Sequence, residues 1–163
     1  MPHKIGYVED TGGKLAHQNM LEEIKDFVDA NGWDILRFDD GIENHELIMR
    51  APGLSGTEEI YLGMRCYQNA NADIYNMTAA GFIGYTAGNS FAAQPGALLH
   101  AVPAHNRRID YWLSMNGQRL SGAMKVGTPV YESFYIGKFF PYARPSQYPY
   151  PVAVGGMAEG EAN

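Results

Sequence analysis

The chain has 163 residues, so we expect one domain that buries roughly 70% of its unfolded surface. Charged residues make up 18% of it, below the usual level of about 25%, and the formal net charge is -6. A negative charge without a cluster of Lys and Arg argues against a nucleic-acid partner, because binding to phosphates needs clustered cations.

The first predicted element is a helix from about Met20 to Asn31, whose apolar residues recur at the spacing of one helical face. Asn19 is the predicted N-cap, with Glu22 three residues later as its capping partner. Gly32 is predicted to end the helix in a left-handed conformation.

Four strands are predicted next, forming an antiparallel meander: Trp33 to Phe38, Glu46 to Arg50, Glu59 to Gln68 and Tyr75 to Tyr85. In the third strand, apolar residues occupy the even positions from Ile60 to Cys66, whereas Tyr61 and Arg65 fall on the other face. One face of this sheet is therefore predicted to be apolar and the other amphipathic.

From Thr86 to Asn106 the periodicity disappears, which predicts an irregular connection that covers the sheet or contacts a partner. Ile109 to Ser114 and Arg119 to Val126 are then predicted to pair as a hairpin. The Asn116-Gly117 dipeptide between them is typical of a type I′ turn, in which both residues have positive φ. The last predicted strand is Tyr131 to Phe140.

Aromatic residues and prolines alternate from Tyr135 to Pro151, with almost no charge. Because proline favours extended backbone in itself and in the residue before it, we predict that residues 135–163 form an extended arm and a flexible tail outside a domain of residues 1–134. Such an arm either docks on another subunit or clasps the chain's own core. The predicted fold class is α+β, with one N-terminal helix packed on an antiparallel meander, a second β segment with a hairpin, and the extended arm.

No catalytic, metal-binding or cofactor-binding motif stands out. The 5 histidines lack zinc-site spacing, and GxSxG, Walker A and GxGxxG patterns are missing. We therefore expect no enzyme, no metal and no cofactor. A rival hypothesis is a small hydrolase in which Ser90, His100 or His105 and a carboxylate converge in one cleft.

The single cysteine, Cys66, excludes a disulfide within the chain, and its apolar strand context predicts a buried, unreactive thiol. The N-terminus lacks the apolar core of a signal peptide, and no apolar run reaches about 18 residues. We expect neither secretion by a signal peptide nor insertion into a membrane.

A family resemblance rests on Gly, Pro and aromatic patterns in four parts of the chain: Pro52 to Gly63, Gly81 to Tyr85 with Gly88 to Phe91 and Gln94 to Gly96, Tyr111-Trp112 with Asn116-Gly117 and Arg119, and Tyr131-Glu132 with Tyr135 to Gly156. Together these segments resemble a family of virion structural proteins of tailed bacteriophages. The resemblance implies a location in the virion, which assembles in the host cytoplasm, and a role in the tail.

The expected function is thus a tail or baseplate subunit that forms homo-oligomers and binds other virion tail proteins. The predicted interface residues are Tyr135, Phe139, Phe140, Tyr142, Arg144, Tyr148, Tyr150, Phe91, Arg107 and Arg108. Two alternatives are a carbohydrate- or receptor-binding module of the tail, in which exposed aromatic residues stack on sugars, and a neck or tail-terminator ring subunit.

Overall fold

The computed structural model describes residues 1–139 and 152–156. In chain order, the described elements are β1 (His3–Glu9), α1 (Ala16–Asp29), β2 (Asp34–Asp39), β3 (Glu46–Ala51), β4 (Ile60–Asn69), β5 (Ile74–Phe82), β6 (Leu98–Pro103), β7 (Arg108–Met115), β8 (Arg119–Lys125), β9 (Tyr131–Lys138) and β10 (Val152–Gly156). Short 3-10 turns occupy Ala70–Ala72 and Phe91–Ala93.

The strands form two antiparallel sheets, and α1 packs on them, which confirms the predicted α+β class. Sheet A has the order β1-β7-β8-β9-β10, and sheet B has the order β2-β3-β4-β5-β6. Sheet B is the predicted meander with one further strand. Sheet A brings the N-terminal strand beside the second half of the chain, so the two ends of the sequence share one sheet.

Helix α1 presents the predicted apolar face to the main core, where Met20, Ile24 and Val28 are fully buried. It begins at Ala16, one turn earlier than predicted, and Gln18 accepts a hydrogen bond from the Leu15 N–H (2.9 Å). The apolar pattern missed this first turn because polar residues fill it. Gly32 follows the helix with the predicted positive φ, 87°.

The predicted N-cap role of Asn19 is wrong, since this residue lies inside the first turns of α1. Its side-chain amide instead donates hydrogen bonds to the carbonyl oxygens of Glu9 (2.7 Å) and Thr11 (3.2 Å). Asn19 therefore fixes the chain between β1 and α1 rather than the start of the helix.

Strand β4 shows the predicted division of its faces. Leu62, Met64 and Cys66 are fully buried in the main core, whereas Tyr61 and Arg65 are partly exposed on the opposite face. The indole N–H of Trp33, which is also buried, donates to the Asn116 carbonyl oxygen (3.0 Å). This bond ties the start of sheet B to a turn of sheet A.

The predicted irregular connection contains β6, which pairs with β5 along its length. Its sequence, Leu98-Leu-His-Ala-Val-Pro103, has no alternation because both of its faces are partly covered. A pattern of period 2 therefore cannot reveal this strand. The preceding residues, 83–97, form the irregular part and lie across sheet B.

The predicted hairpin of β7 and β8 is present, but its turn is not type I′, because neither Asn116 nor Gly117 has positive φ. The Asn116 side-chain oxygen instead accepts the N–H groups of Gln118 (2.9 Å) and Arg119 (3.1 Å). Glycine is needed at 117 for space, since a Cβ there would lie 2.2 Å from the Gly53 carbonyl oxygen.

Strand β9 runs across the predicted domain boundary at 134/135, so residues 135–138 belong to sheet A rather than to an arm. The strand ends at Lys138 instead of Phe140. Strand β10 returns beside it, with Val152 opposite Lys138 and Gly156 opposite Phe134. Val154 packs against the main core, and the rest of the predicted arm, residues 140–151 and 157–163, lies outside the described residues.

Candidate functional site

The outer face of sheet A, which points away from the core, is the most unusual surface of the described chain. It exposes large apolar or aromatic side chains on three strands: Ile5 and Tyr7 on β1, Trp112 on β7 and Tyr131 on β9. Ile5, which is 66% exposed, pairs directly with Trp112. Burial of this face would remove more apolar area from water than burial of any scattered surface residue.

Strand β1 exposes two of its large apolar or aromatic side chains. Ile5 and Tyr7 face solvent, whereas Val8 is buried in the core on the same face of the strand as Lys4 and Gly6. The Lys4 ammonium forms an ion pair with Glu23 of α1 (2.5 Å). In a strand with one solvated face, the apolar residues normally face the core, and the exposed Ile5 and Tyr7 depart from this pattern.

Between the large side chains, the outer face is flat because it carries small residues. Ser114 pairs with Ser121, and Ala123 lies between Trp112 and Ser133 across the strands. A shallow depression of about 370 Å³ lies beside Trp112. The Trp112 and Tyr131 rings are tilted against each other with centroids 6.3 Å apart. We refer to this surface as the outer face below.

Of the predicted interface residues, Arg108 lies on the outer face. Its guanidinium is 4.0 Å above the Tyr7 ring centroid and forms ion pairs with Asp110 (2.9 Å) and Glu9 (2.9 Å). The hydrogen bond with Asp110 raises the pKa of Arg108 above its ordinary value. Arg107 is exposed beside it, and its N–H donates to the His105 ring nitrogen Nδ1 (3.0 Å).

Phe91 was predicted to contact a partner, but it is fully buried within the chain itself. It packs edge to face on Phe82 (centroids 5.5 Å apart), beneath the Arg65 guanidinium and over Gly63. A Cβ at Gly63 would lie 2.8 Å from this ring. The prediction failed because the loop uses Phe91 to cover the second face of sheet B, so its side chain presents no surface to a partner.

Two predicted interface residues lie where β9 ends. The rings of Tyr135 and Phe139 are stacked, with centroids 4.6 Å apart, and Phe139 remains exposed. Burial raises the pKa of Tyr135, whose hydroxyl donates to the Lys138 carbonyl oxygen (3.1 Å). The other predicted residues lie outside the described part of the chain: Phe140, Tyr142, Arg144, Tyr148 and Tyr150.

An apolar groove of about 420 Å³ adjoins this end of β9, and we call it the β9-end groove. Its walls include Tyr61, Phe82 and Ile83, and an ion pair between Lys138 and Glu58 lies beside them. Lys138 is buried, whereas Ile83 is 82% exposed. No spacing pattern in the sequence reveals this groove, because its lining comes from three separate segments.

The buried titratable groups include two histidines and one thiol. His17 and His45 are both buried, and burial lowers the pKa of each, that of His17 to about 4. The Cys66 thiol donates to the His17 carbonyl oxygen (3.4 Å), and burial raises its pKa, which confirms the predicted buried thiol. Within residues 1–139 and 152–156, no group of three or more His, Cys, Asp and Glu side chains is arranged to hold a metal ion.

The residues of the rival hydrolase hypothesis do not converge. Ser90 lies next to Phe91 in the loop that covers one face of sheet B. His100 pairs with Ala79 of the main core and therefore points to the opposite face. His105 follows the end of β6, beside a depression that Asp73 and Glu132 also line. Sheet B thus separates Ser90 from His100.

The sequence of the chain matches no protein-family model and no curated protein. Among the described residues, the 14-residue helix α1 is too short and too polar to cross a membrane.

Proposed function

We propose that this protein is a structural subunit of a tailed-phage virion, in the tail or baseplate, and that it assembles with copies of itself and with other tail proteins. The observation that carries the proposal is the outer face of sheet A, whose apolar side chains the described residues leave exposed to water. Contiguous exposed apolar surface of this kind marks a site of protein interaction. The location in a phage tail comes from the sequence resemblance.

The chemistry of the outer face suits a repeated contact between subunits. Tyr and Trp are enriched at interfaces because their large rigid rings bury much area at little entropic cost, and charged side chains are depleted there. Trp112 and Tyr131 provide such rings, and the small side chains around them allow a flat partner to approach. The charges of Arg108 and its partners lie at the rim, where charged groups in interfaces are usually found.

The first experiment measures the mass of the purified full chain by light scattering at several concentrations. We expect a closed oligomer whose population rises with concentration. Ile5→Glu should shift it towards monomer, because burial of a charge in the contact is costly. Leu54→Glu is the matched control, since Leu54 is 54% exposed on a loop outside the outer face. Equal masses for parent and Ile5→Glu would contradict assembly through this face.

The second experiment addresses the location. Mass spectrometry of purified particles of the encoding phage, with immunogold labelling, should find the protein on the tail. A signal at the junction of head and tail would instead assign it to a neck or tail-terminator ring, which the same outer face could also build. Absence from the particles would refute the virion role.

A second candidate function is glycan binding, and one observation favours it. The Trp112 and Tyr131 rings are exposed together on a flat face with serine hydroxyls nearby, an arrangement in which sugar rings could stack on aromatic faces. The only other tryptophan, Trp33, is buried. A saturable change in tryptophan fluorescence on addition of host surface glycans, lost in Tyr131→Ser, would support this function, and no change would exclude it for the glycans tested.

A further inference from the structure

Strand β1 has an open side at the edge of sheet A. Among the described strands it pairs with β7 alone. The Met115 N–H donates to the Pro2 carbonyl oxygen (3.1 Å), and the Asp10 N–H donates to that of Arg107 (2.9 Å). Because bonded residues alternate along an antiparallel pair, the even residues of β1 bond to β7. The odd residues point their N–H and C=O groups to the open side: His3, Ile5, Tyr7 and Glu9.

The described residues occupy this open side at one end only. There the Asn19 side-chain amide donates to the Glu9 carbonyl oxygen (2.7 Å). No strand within residues 1–139 and 152–156 pairs with the backbone groups of His3, Ile5 and Tyr7. A row of unpaired N–H and C=O groups on an edge strand is a template for pairing with another chain.

The edges of sheet B, by contrast, are protected. The register of β2 shifts between Ile35 and Arg37, and the Arg37 guanidinium donates to the carbonyl oxygens of Ala87 (2.7 Å) and Asn89 (2.8 Å). Strand β6 ends in Pro103, and β10 packs beside it. Bulges, charged side chains, prolines and covering segments are the features that prevent edge strands from pairing between molecules.

Strand β1 lacks these features in the described part of the chain. Its pairing with β7 is regular from His3 to Glu9. The one charged residue between His3 and Tyr7 is Lys4, whose charge Glu23 neutralises on the inner face (2.5 Å). Ile5 and Tyr7 are uncharged and exposed. The open side of β1 is therefore suited to the addition of a strand.

A second copy of β1 fits this open side. In an antiparallel pair with a twofold axis at Ile5, Ile5 lies opposite Ile5 and His3 lies opposite Tyr7, so the open N–H and C=O groups meet in about six hydrogen bonds. On the inner face Lys4 lies opposite Gly6, so like charges are not directly opposed. On the outer face the Cβ atoms of the two Ile5 residues come within about 5 Å of each other.

We propose that two copies of this chain pair antiparallel through the open side of β1, so that their two A sheets become one continuous sheet. The proposal rests on the proposed function, because it names the contact that joins two copies. The same pairing makes the outer faces of the two copies continuous across the Ile5 side chains, and a larger apolar surface is then presented to other tail proteins.

The first test removes an open N–H group without touching the pairing with β7. Ile5→Pro should raise the dissociation constant of the oligomer about tenfold or more relative to Ile5→Ala, because proline lacks the N–H in both copies. Both variants have lost the isoleucine side chain, so the comparison isolates the backbone. Each should still fold, since the Ile5 N–H does not donate to β7. Equal dissociation constants for the two variants would overturn the proposal.

The second test detects the register with a disulfide and changes only exposed side chains. Differently tagged full chains that carry His3→Cys and Tyr7→Cys are mixed under mild oxidation, to which the buried Cys66 thiol does not respond. We expect a disulfide dimer with one chain of each kind, because the Cα atoms of a bonded pair are about 5.5 Å apart. Neither variant alone should form it, since position 3 faces position 7 of the other copy. Sheets stacked face to face lie about 10 Å apart, too far for this bond.

The outcomes separate this inference from the proposed function. An oligomer that forms without the disulfide between positions 3 and 7 would overturn the pairing of β1 and leave assembly by stacking of the outer faces standing. A monomer at every concentration, again without the disulfide, would overturn both.

Discussion

Replacement of His17 by phenylalanine should stabilise the protein, and more strongly at acidic pH. His17 is fully buried at the start of α1, with its ring edge to face against Tyr75 (centroids 5.7 Å apart). Neither ring nitrogen makes a hydrogen bond of good geometry among the described residues, although the Gln68 side chain is near enough to oppose part of the fall in the pKa of His17. Burial, and secondarily the nearby His45, lower its pKa from 6.5 to about 4.

The pH dependence follows from the direction of this shift. Between pH 6.5 and about 4 the unfolded chain binds a proton at His17 that the folded chain does not, so the free energy of unfolding falls as the pH falls through this window. The loss from this group is about 2 kcal/mol at pH 5 and approaches about 3 kcal/mol below pH 4. His45, whose pKa is also lowered by burial, acts in the same direction.

Phenylalanine keeps the ring contact with Tyr75 and removes both the titration and the unpaired nitrogens. We expect His17→Phe to gain about 1 kcal/mol at pH 7.5, because a buried polar group without a partner costs about 1–3 kcal/mol. At pH 5 the gain should reach about 3 kcal/mol. Urea unfolding followed by circular dichroism at both pH values measures each difference.

The matched control is His3→Gln, which changes an exposed histidine on β1 and should unfold like the parent at both pH values. If His17→Phe loses as much stability as the parent between pH 7.5 and pH 5, the acid sensitivity does not come from His17. If the variant is less stable than the parent at pH 7.5, the ring nitrogens of His17 are bonded in the folded protein, and the argument from burial fails.

Two further predictions concern the end of β9. Gly137→Ala should lower the free energy of unfolding by about 2 kcal/mol or more, because φ is 145° and a Cβ would lie 2.4 Å from the Gln118 carbonyl oxygen. Chemical denaturation should show this loss. Gly127→Ala, where a Cβ would make ordinary contact with the Val130 side chain at 3.6 Å, should change stability by less than about 0.5 kcal/mol. Glu58→Gln should destabilise the fold by about 2 kcal/mol or more, because it leaves the buried Lys138 ammonium without its carboxylate. In a double-mutant cycle, adding Lys138→Met should recover much of this loss. If the effects of the two substitutions on stability were fully additive, the Glu58 and Lys138 side chains would not be coupled.

Helix α1 and the predicted four-strand meander could be predicted because one face of each is in the core. Their apolar residues therefore recur with the period of the element, as Ile60 to Cys66 show in β4. Strand β6 lacks this signal because both of its faces are partly covered. The boundaries shifted where polar residues, such as Gln18 in the first turn of α1, make contacts that depend on the tertiary structure.

The candidate surfaces were less predictable, because each joins residues that are distant in sequence. The aromatic content of the segment from Tyr135 suggested an interface. The same reasoning assigned Phe91 to a partner, although Phe91 packs on Phe82 against the second face of sheet B. The sequence around an isolated aromatic residue in a loop does not show whether its side chain contacts a partner or packs within the same chain. The β9-end groove depends on Glu58, Ile83 and Lys138 meeting in space, which no spacing pattern predicts.

The exposure of Ile5 and Tyr7 is a requirement of the fold. A shift of one residue in the pairing of β1 with β7 would turn these side chains inward. Gly6 opposes this shift, because it faces Tyr111 so closely that a Cβ would lie 2.7 Å from the tyrosine hydroxyl oxygen. That hydroxyl donates to Glu23 (2.8 Å), the carboxylate that also holds Lys4.

Any larger side chain in place of Gly6 would therefore displace Tyr111 and separate α1 from sheet A. The polar contacts under β1 fix its register, and the register places the apolar side chains of β1 on the outer face. The described residues cover neither this strand nor the flat row of small residues beside Trp112, and this exposed surface is the observation on which the proposed assembly depends.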